Sequence, residues 1–270
     1  MNSKTITINS LKDLYKYIPE YESNYVYYRG QVNSDWNLLP TILRNNNLSE
    51  AQKFEKTLLL NYLLHPIEEY NFYNNPIEFL MNFQHFGIPT RLIDFTSDIF
   101  IALFFACFDQ EEKHLDKNGK LFLIFEKQFP KYKINKLNVL NENNITEELN
   151  NIINIDEFYI LNPQIRNPKM RYQSGIFLTN PLLPISLDNP EKPADLVDFI
   201  KIKNKNLNLP NDNCFAVLTF EIPSQSKKKI LLELDNNFNI NYENIIVKNE
   251  KINSIENAFN NLMKNIKNFF

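Results

Sequence analysis

Glycine, cysteine, tryptophan and histidine are all scarce in this chain of 270 residues, which has 4 Gly, 2 Cys, 1 Trp and 3 His. The two cysteines, Cys107 and Cys214, lie far apart in apolar segments. This predicts buried reduced thiols and argues against a disulfide framework or a thiolate metal site. The histidines lack the spacing of metal ligands, so no metal is expected.

Long apolar runs and an excess of basic charge are also missing. The longest apolar run, 99–108, is about half of a membrane span and predicts a buried helix. Residues 1–10 lack the basic region and apolar stretch of a signal peptide. The formal charge of −3 provides no broad basic field for general binding of duplex nucleic acid. These features predict a cytoplasmic protein with no membrane association.

Hydrophobic residues are plentiful, at 43% of the chain with 22 Phe and 13 Tyr, as in a globular protein with an aromatic-rich core. Helical and strand patterns are mixed without regular βαβ alternation. This favours an α+β fold whose mixed or mainly antiparallel sheet is flanked by helices. There is no internal repeat and no clear linker, which predicts a single domain over 1–270. Its Asn-rich segment 135–156 is interpreted as an insertion or a lid.

Local patterns predict the main elements. Tyr-rich segment 25–28 predicts a strand that ends at Arg29. Pro76 at a first helical position and Gly87 past the last turn predict a helix between them. Other strands are predicted at 121–125, 172–178 and 215–222, and other helices at 49–64, 99–106, 227–236 and from 254 onward. Segment 181–193, with its four prolines, predicts a loop.

Three of the four glycines lie in short polar clusters, at 28–31, 84–97 and 171–177. A chain so poor in glycine is expected to use it where the backbone needs positive φ or close approach. Such backbone beside polar side chains is typical of a functional site. We therefore expect the three clusters to line one cleft, whereas the fourth glycine, Gly119, predicts an ordinary turn.

The first cluster places Arg29 and Gly30 at the end of a strand. A guanidinium at this position can bind a phosphate, and the glycine lets a ligand approach the backbone. The alternative is a structural arginine that pairs with an acid such as Asp94.

The middle cluster is the densest in polar side chains, and its candidate binding residues are Gln84, His85, Thr90, Arg91, Asp94, Thr96 and Ser97. Arg91 and Asp94 are a possible structural pair. Thr96 and Ser97 precede an apolar helix, where they either cap it or bind an anion beside its backbone N–H groups. His85 is either a structural histidine or a catalytic one.

In the third cluster, Arg171 and Gln173 alternate with Tyr172 on the expected strand and would share one face. Because an amide is a poor base, Gln173 indicates orientation of a ligand rather than proton transfer. The chain has no Ser-His-Asp order, Walker loop or dinucleotide glycine fingerprint.

These clusters resemble the FRG domain family, named for its Phe/Tyr-Arg-Gly motif. The resemblance rests on 28–31 with Trp36 and Pro40, on 84–96, on the apolar helix 101–106 and on Gln173, Gly175 and Phe177. It covers roughly 25–260 and departs at Phe95, where the family often has Trp. The family occurs in bacteria and phages, which implies a mobile-element or defence setting.

The clusters also resemble ADP-ribosyltransferases of the Arg-Ser-Glu type. The resemblance implies that Arg29 holds the phosphates and ribose of NAD and that 95–97 match the second motif. The third motif needs a glutamate, and Gln173 stands at its place. Taken together, the clusters and this resemblance give Arg29, His85 and Gln173 as candidate catalytic residues. The candidate ligand contacts are Arg29, Gly30, Gln84, Thr90, Arg91, Asp94, Thr96, Ser97 and Arg171.

Three hypotheses follow for the function. The first is an enzyme that uses NAD as substrate, either a transferase with a macromolecular acceptor or a glycohydrolase, in a toxin or defence system. The second is a non-catalytic module that binds a nucleotide or a phosphorylated partner protein. The third is a metal-independent nuclease toxin that uses His85.

Overall fold

The computed structural model describes residues 6–18, 26–44, 47–64, 76–85, 87–132, 142–163, 168–186, 189–193, 195–200 and 217–246. Its strands are β1 (Ile6–Thr7), β2 (Val26–Gln31), β3 (Leu92–Thr96), β4 (Gly119–Phe125), β5 (Ile160–Leu161), β6 (Gly175–Thr179), β7 (Pro184–Ser186), β8 (Asn189–Pro193) and β9 (Val217–Ile222). Seven of these strands form one sheet in the order β1-β9-β4-β2-β3-β6-β5, and β7 and β8 form a separate pair. Among the described strand pairs of the large sheet, β1 and β9 run parallel and the others are antiparallel.

The helices are α1 (Leu11–Leu14), α2 (Leu48–Leu64), α3 (Pro76–His85), α4 (Ile99–Cys107), α5 (Glu142–Ile153), α6 (Pro168–Tyr172), α7 (Ser224–Phe238) and α8 (Tyr242–Ile245). The predicted α+β fold with a mixed, mainly antiparallel sheet and flanking helices is confirmed. None of the helices described is long and apolar enough to cross a membrane.

Two groups of helices cover the same face of the sheet. Helices α1, α4 and α7 pack on β2, β4 and β9 through residues such as Phe104 and Phe220. Helices α2, α3 and α5 pack on β3 and β6 through residues such as Phe83 and Phe177. The opposite face buries a third cluster that includes Phe122. The two helix groups therefore meet above the centre of the sheet.

The centre of the sheet is also where its pairing is weakest. β2 pairs with β4 over its whole length, from Val26 to Gln31, and β3 pairs with β6 over its whole length. By contrast, the pairing of β2 with β3 consists of Tyr28 opposite Thr96. The two strands therefore separate beyond this point, which leaves a gap in the described sheet.

Several sequence predictions are corrected here. The predicted strand 172–178 begins only at Gly175, because α6 extends through Tyr172 and Ser174 turns the chain with φ of 47°. Segment 181–193 contains the β7–β8 pair, in which Pro184 lies opposite Pro193. Gly119 is not a turn glycine but opens β4, where a side chain would meet the carbonyl oxygen of Ala106.

The described part of the Asn-rich segment belongs to the core. Leu149 and Ile152 of α5 are buried against α2 and α3. Residues 133–141 lie outside the described residues, as do Cys214, His65 and the helix expected from 254 onward.

Candidate functional site

A cavity of about 410 Å³ lies where β2 and β3 separate. Residues of all three polar clusters line it, together with Ile101, Ala102 and Phe105 of α4. The contributing cluster residues are Tyr28, Arg29, Gly30, Gln31, Gln84, Gly87, Asp94, Phe95, Thr96, Gln173, Gly175, Ile176 and Phe177. The volume is within the range of small-molecule sites, so the clusters meet around a cavity that can hold a ligand.

Arg29 reaches from β2 across the gap to β3. Its Nη1 donates a hydrogen bond of 2.7 Å to the backbone oxygen of Asp94 and lies 3.6 Å from the Asp94 carboxylate. The side chain is 13% exposed. Burial lowers the pKa of the guanidinium from its usual value, and the negative charge of Asp94 opposes that shift. Arg29 thus has the predicted partner Asp94 and also lines the cavity.

A directed chain of hydrogen bonds holds Asp94 in place. The backbone N–H of Leu92 donates to Thr90 Oγ1 at 3.1 Å, and the Thr90 hydroxyl donates to Gln84 Oε1 at 2.8 Å. Gln84 Nε2 then donates to Asp94 Oδ2 at 2.9 Å. Because the Asp94 side chain stays 46% exposed, its carboxylate is oriented and still accessible. It is the one carboxylate among the described residues that line the cavity.

Arg91 has a structural role instead of the predicted ligand contact. It is 2% exposed and forms an ion pair with buried Glu55 of α2, with Nη2 and Nε at 2.5 and 2.6 Å from Oε2. The other Glu55 oxygen accepts the backbone N–H of Arg91 at 3.2 Å. Arg91 therefore ties β3 to α2, and the expected pairing with Asp94 is wrong. Thr90 is fully buried, and its hydroxyl donates a hydrogen bond to Gln84.

The start of α4 is capped by Asp98, whereas Thr96 or Ser97 was expected. Asp98 Oδ1 accepts the N–H groups of Phe100 and Ile101 at 2.8 and 3.3 Å. Thr96 Oγ1 accepts the N–H of Asp98, and exposed Ser97 binds Ser174 through its backbone. Because the Asp98 carboxylate occupies the N–H groups of Phe100 and Ile101, these two groups are not open to a ligand anion.

Gly30 allows close packing of a helix. A Cβ at this position would lie 1.8 Å from the carbonyl oxygen of Ala102 and 2.5 Å from the nitrogen of Ala106. The expectation that this glycine admits a ligand to the backbone is therefore replaced by a packing reason. Gly87 does have positive φ, at 77°, and ends α3 as predicted.

The third cluster contributes Gln173 to the cavity and leaves Arg171 outside it. Gln173 is half-buried and its Nε2 lies 3.4 Å from the backbone oxygen of Ile245. Arg171 is exposed on α6 and does not line the cavity, so the two do not share a strand face. His85 is the last residue of α3, and its side chain lies outside the described residues.

Several residues line the cavity without having been predicted as ligand contacts, among them Gln31, Trp36 and Arg44. Gln31 follows Arg29 by two residues on β2, so strand alternation alone points to it. Exposed Trp36 packs edge-on against the ring of His114, with centroids 4.9 Å apart. Exposed Arg44, whose charge also lowers the pKa of Arg29, has no local signal because the tertiary fold brings it there.

Comparison with known proteins identifies part of this chain. Residues 24–115 match the family model of the FRG domain, so the chain carries an FRG domain over these residues. The matched segment contains Arg29, Gln84 and Asp94, whereas Gln173 lies beyond it. Searches of curated proteins and of solved structures found no match. The likeness to ADP-ribosyltransferases remains a prediction.

Among the described residues, no three or more His, Cys, Asp and Glu side chains are grouped so as to hold a metal ion.

Proposed function

We propose that the cavity binds NAD and that the protein breaks the bond between nicotinamide and ribose. One observation carries the proposal: the buried guanidinium of Arg29 and the oriented carboxylate of Asp94 lie side by side in a cavity lined with aromatic rings. A nucleotide combines a phosphate, ribose hydroxyls and a planar base, and the cavity offers a complementary group for each of them.

The binding part of the proposal assigns one role to each kind of side chain. Arg29 and Arg44 supply the positive charge that a phosphate requires. Asp94 accepts hydrogen bonds from ribose hydroxyls. Trp36 and Phe105 provide aromatic surfaces against which a base stacks.

The chemical part concerns the bond between C1′ of the ribose and the nicotinamide nitrogen. When this bond breaks, its electron pair leaves with nicotinamide, and positive charge develops on the ribose. The Asp94 carboxylate stabilises that charge, with Gln84 and Thr90 as its positioning residues. Water, or a hydroxyl of a macromolecular acceptor, then adds at C1′ and releases a proton. The products are free or attached ADP-ribose, nicotinamide and the proton.

A role in a bacterial or phage toxin or defence system belongs to this proposal, because a protein that consumes NAD arrests the cell that contains it. The nuclease hypothesis depends on His85 and gains no support from the described residues of the cavity.

The second candidate is a non-catalytic module that binds a nucleotide or a phosphate group of a partner protein. It is favoured by Gln173, since an amide stands where the transferases need a carboxylate. The same arginines carry the binding in this version, so only a measurement of turnover separates the two candidates.

The test is calorimetric binding of NAD together with release of nicotinamide from labelled NAD, with and without host lysate. We expect Arg29→Met to weaken binding by roughly 10- to 100-fold, the effect of losing a charged hydrogen bond. We expect Asp94→Asn to bind NAD but to lower turnover by about 100-fold or more. Arg171→Met, outside the cavity, serves as the control, and Arg29→Lys covers the case in which Arg29→Met does not fold.

Binding without turnover, lost in Arg29→Met, would favour the binding module over the enzyme. If the folded wild-type protein does not bind NAD, the proposal fails.

A further inference from the structure

Two hydrogen-bonding atoms in the cavity wall lack a partner within the described protein. They are Arg29 Nε, a donor, and Gln31 Oε1, an acceptor, and both atoms are buried. Gln31 is 4% exposed. The two residues lie two positions apart on β2, so their side chains leave the strand on the same face.

The hydrogen-bond acceptor beside the Gln31 amide determines which of its two terminal atoms is the nitrogen. Its Nε2 lies 3.5 Å from the backbone oxygen of Asn37, and only the nitrogen of an amide can donate to a carbonyl. The amide oxygen is therefore the atom that has no hydrogen-bond partner. Unpaired buried polar atoms are uncommon in proteins because each loses its hydration without compensation. Two of them on neighbouring side chains of a cavity wall indicate that a bound ligand completes them.

We propose that Arg29 Nε and Gln31 Oε1 together recognise one planar ligand group that carries a hydrogen-bond acceptor next to an NH2 donor. The inference rests on the proposed function, because it assumes a nucleotide in the cavity. Residues i and i+2 on a strand are about 6.6 Å apart, close enough for one such group to bridge both side chains. In NAD this chemistry occurs twice, in the carboxamide of nicotinamide and in the amino edge of adenine.

The experiment compares three dinucleotides that differ in one group: NAD, its nicotinic acid analogue and its hypoxanthine analogue. The nicotinic acid analogue replaces the NH2 group of the carboxamide by a carboxylate oxygen and thereby adds a negative charge. The hypoxanthine analogue replaces the NH2 group of adenine by a carbonyl oxygen, and its N1 carries a hydrogen. We expect one of them to bind the wild-type protein about 10- to 100-fold more weakly than NAD, because Gln31 Oε1 then faces another acceptor. The analogue that loses affinity identifies which end of NAD reaches Gln31.

The decisive variant is Gln31→Met, which keeps the shape of the side chain and removes the acceptor. We expect it to bind NAD more weakly and to bind the sensitive analogue within about twofold of NAD. Gln52→Met is the matched control, because the Gln52 amide donates to the backbone of Leu182 away from the cavity. Gln52→Met should still bind the sensitive analogue as much more weakly than NAD as the wild-type protein does.

The outcomes separate this inference from the proposed function. If NAD binds and Gln31→Met discriminates as strongly as the wild type, the inference is wrong while the nucleotide site stands. If no dinucleotide binds, both fail.

Discussion

Arg29 and Arg91 are both largely buried, and their partners decide their different roles. Arg91 lies in the interior against Glu55, whose two oxygens accept its side-chain and backbone N–H groups. Arg29 has only Nη1 bound to a backbone oxygen and a longer contact to a half-exposed carboxylate. A buried charge is tolerated when a partner compensates it. Hydrogen bonds from its backbone and side chain to a buried carboxylate make Arg91 structural, even though its Nη1 is unpaired. Arg29 lines the cavity beside a half-exposed carboxylate and is therefore available to an anion.

At this scale we predict that Glu55→Gln lowers the free energy of unfolding by about 3–5 kcal/mol, because it leaves the buried Arg91 without a counter-charge. Urea denaturation measures the loss. Lys113→Ala is the control, since Lys113 pairs with Glu111 where both side chains are exposed, and it should leave stability unchanged. Equal effects of the two substitutions would contradict a structural role for the Arg91–Glu55 pair.

Helix α4 lies unusually close to the strands beneath it because small residues face each other at the contact. Gly30 of β2 and Gly119 of β4 both lie against the backbone of α4 near Ala106. No side chain separates the helix from the sheet there, so the helix also forms a wall of the cavity. Close packing against α4, rather than a need for unusual backbone angles, explains why glycine occurs at Gly30 and Gly119.

At the scale of the element we predict that Gly30→Ala lowers the free energy of unfolding by about 1–3 kcal/mol, because its methyl group would overlap the helix backbone. It should also weaken NAD binding, since α4 lines the cavity. Gly87→Ala is the control for stability only, because Gly87 also lines the cavity. Its Cβ would meet open space, so it should cost only the strain of positive φ, about 1–2 kcal/mol. Chemical denaturation and calorimetry measure both effects, and NAD binding unaffected by Gly30→Ala would argue against the contact.

The large sheet consists of two groups of strands that are joined by a single residue pair between β2 and β3. One group contains β1, β9, β4 and β2, and the other contains β3, β6 and β5. Tyr28 opposite Thr96 joins them through the backbone, and Arg29 joins them through the oxygen of Asp94. The candidate site therefore lies at the connection between the two halves of the sheet.

At the scale of the whole molecule we predict that Arg29→Met speeds amide hydrogen exchange at the β2–β3 junction and leaves the β4–β9 ladder unchanged, because only the connection loses a bond. Exchange measured by mass spectrometry or NMR tests this. Arg44→Met, in the same cavity, should have no such effect. Faster exchange in both groups of strands alike would mean that the substitution destabilises the whole fold instead.

The amino-acid sequence by itself determined those features that depend on neighbouring residues. The α+β class, the strand that contains Arg29 and the helix that stops at Gly87 all follow from local patterns of apolar, capping and glycine residues. The predicted end of that strand at Arg29 is wrong, because β2 continues to Gln31, which pairs with Lys120. The FRG motifs are local as well, and residues 24–115 match the family. Local patterns were insufficient at Thr96, Ser97 and Asp98, where consecutive residues can all cap a helix.

The tertiary structure alone decided which polar residues work together. Arg91 finds its partner 36 positions away in Glu55, and Arg29 reaches Asp94 from 65 positions away. Arg44 enters the cavity, and Gln31 is left with an unpaired oxygen, through contacts that no local pattern encodes. The physical reason is that the charge state, burial and hydrogen bonding of a side chain depend on atoms brought close by folding, whereas secondary structure depends largely on residues nearby in the chain.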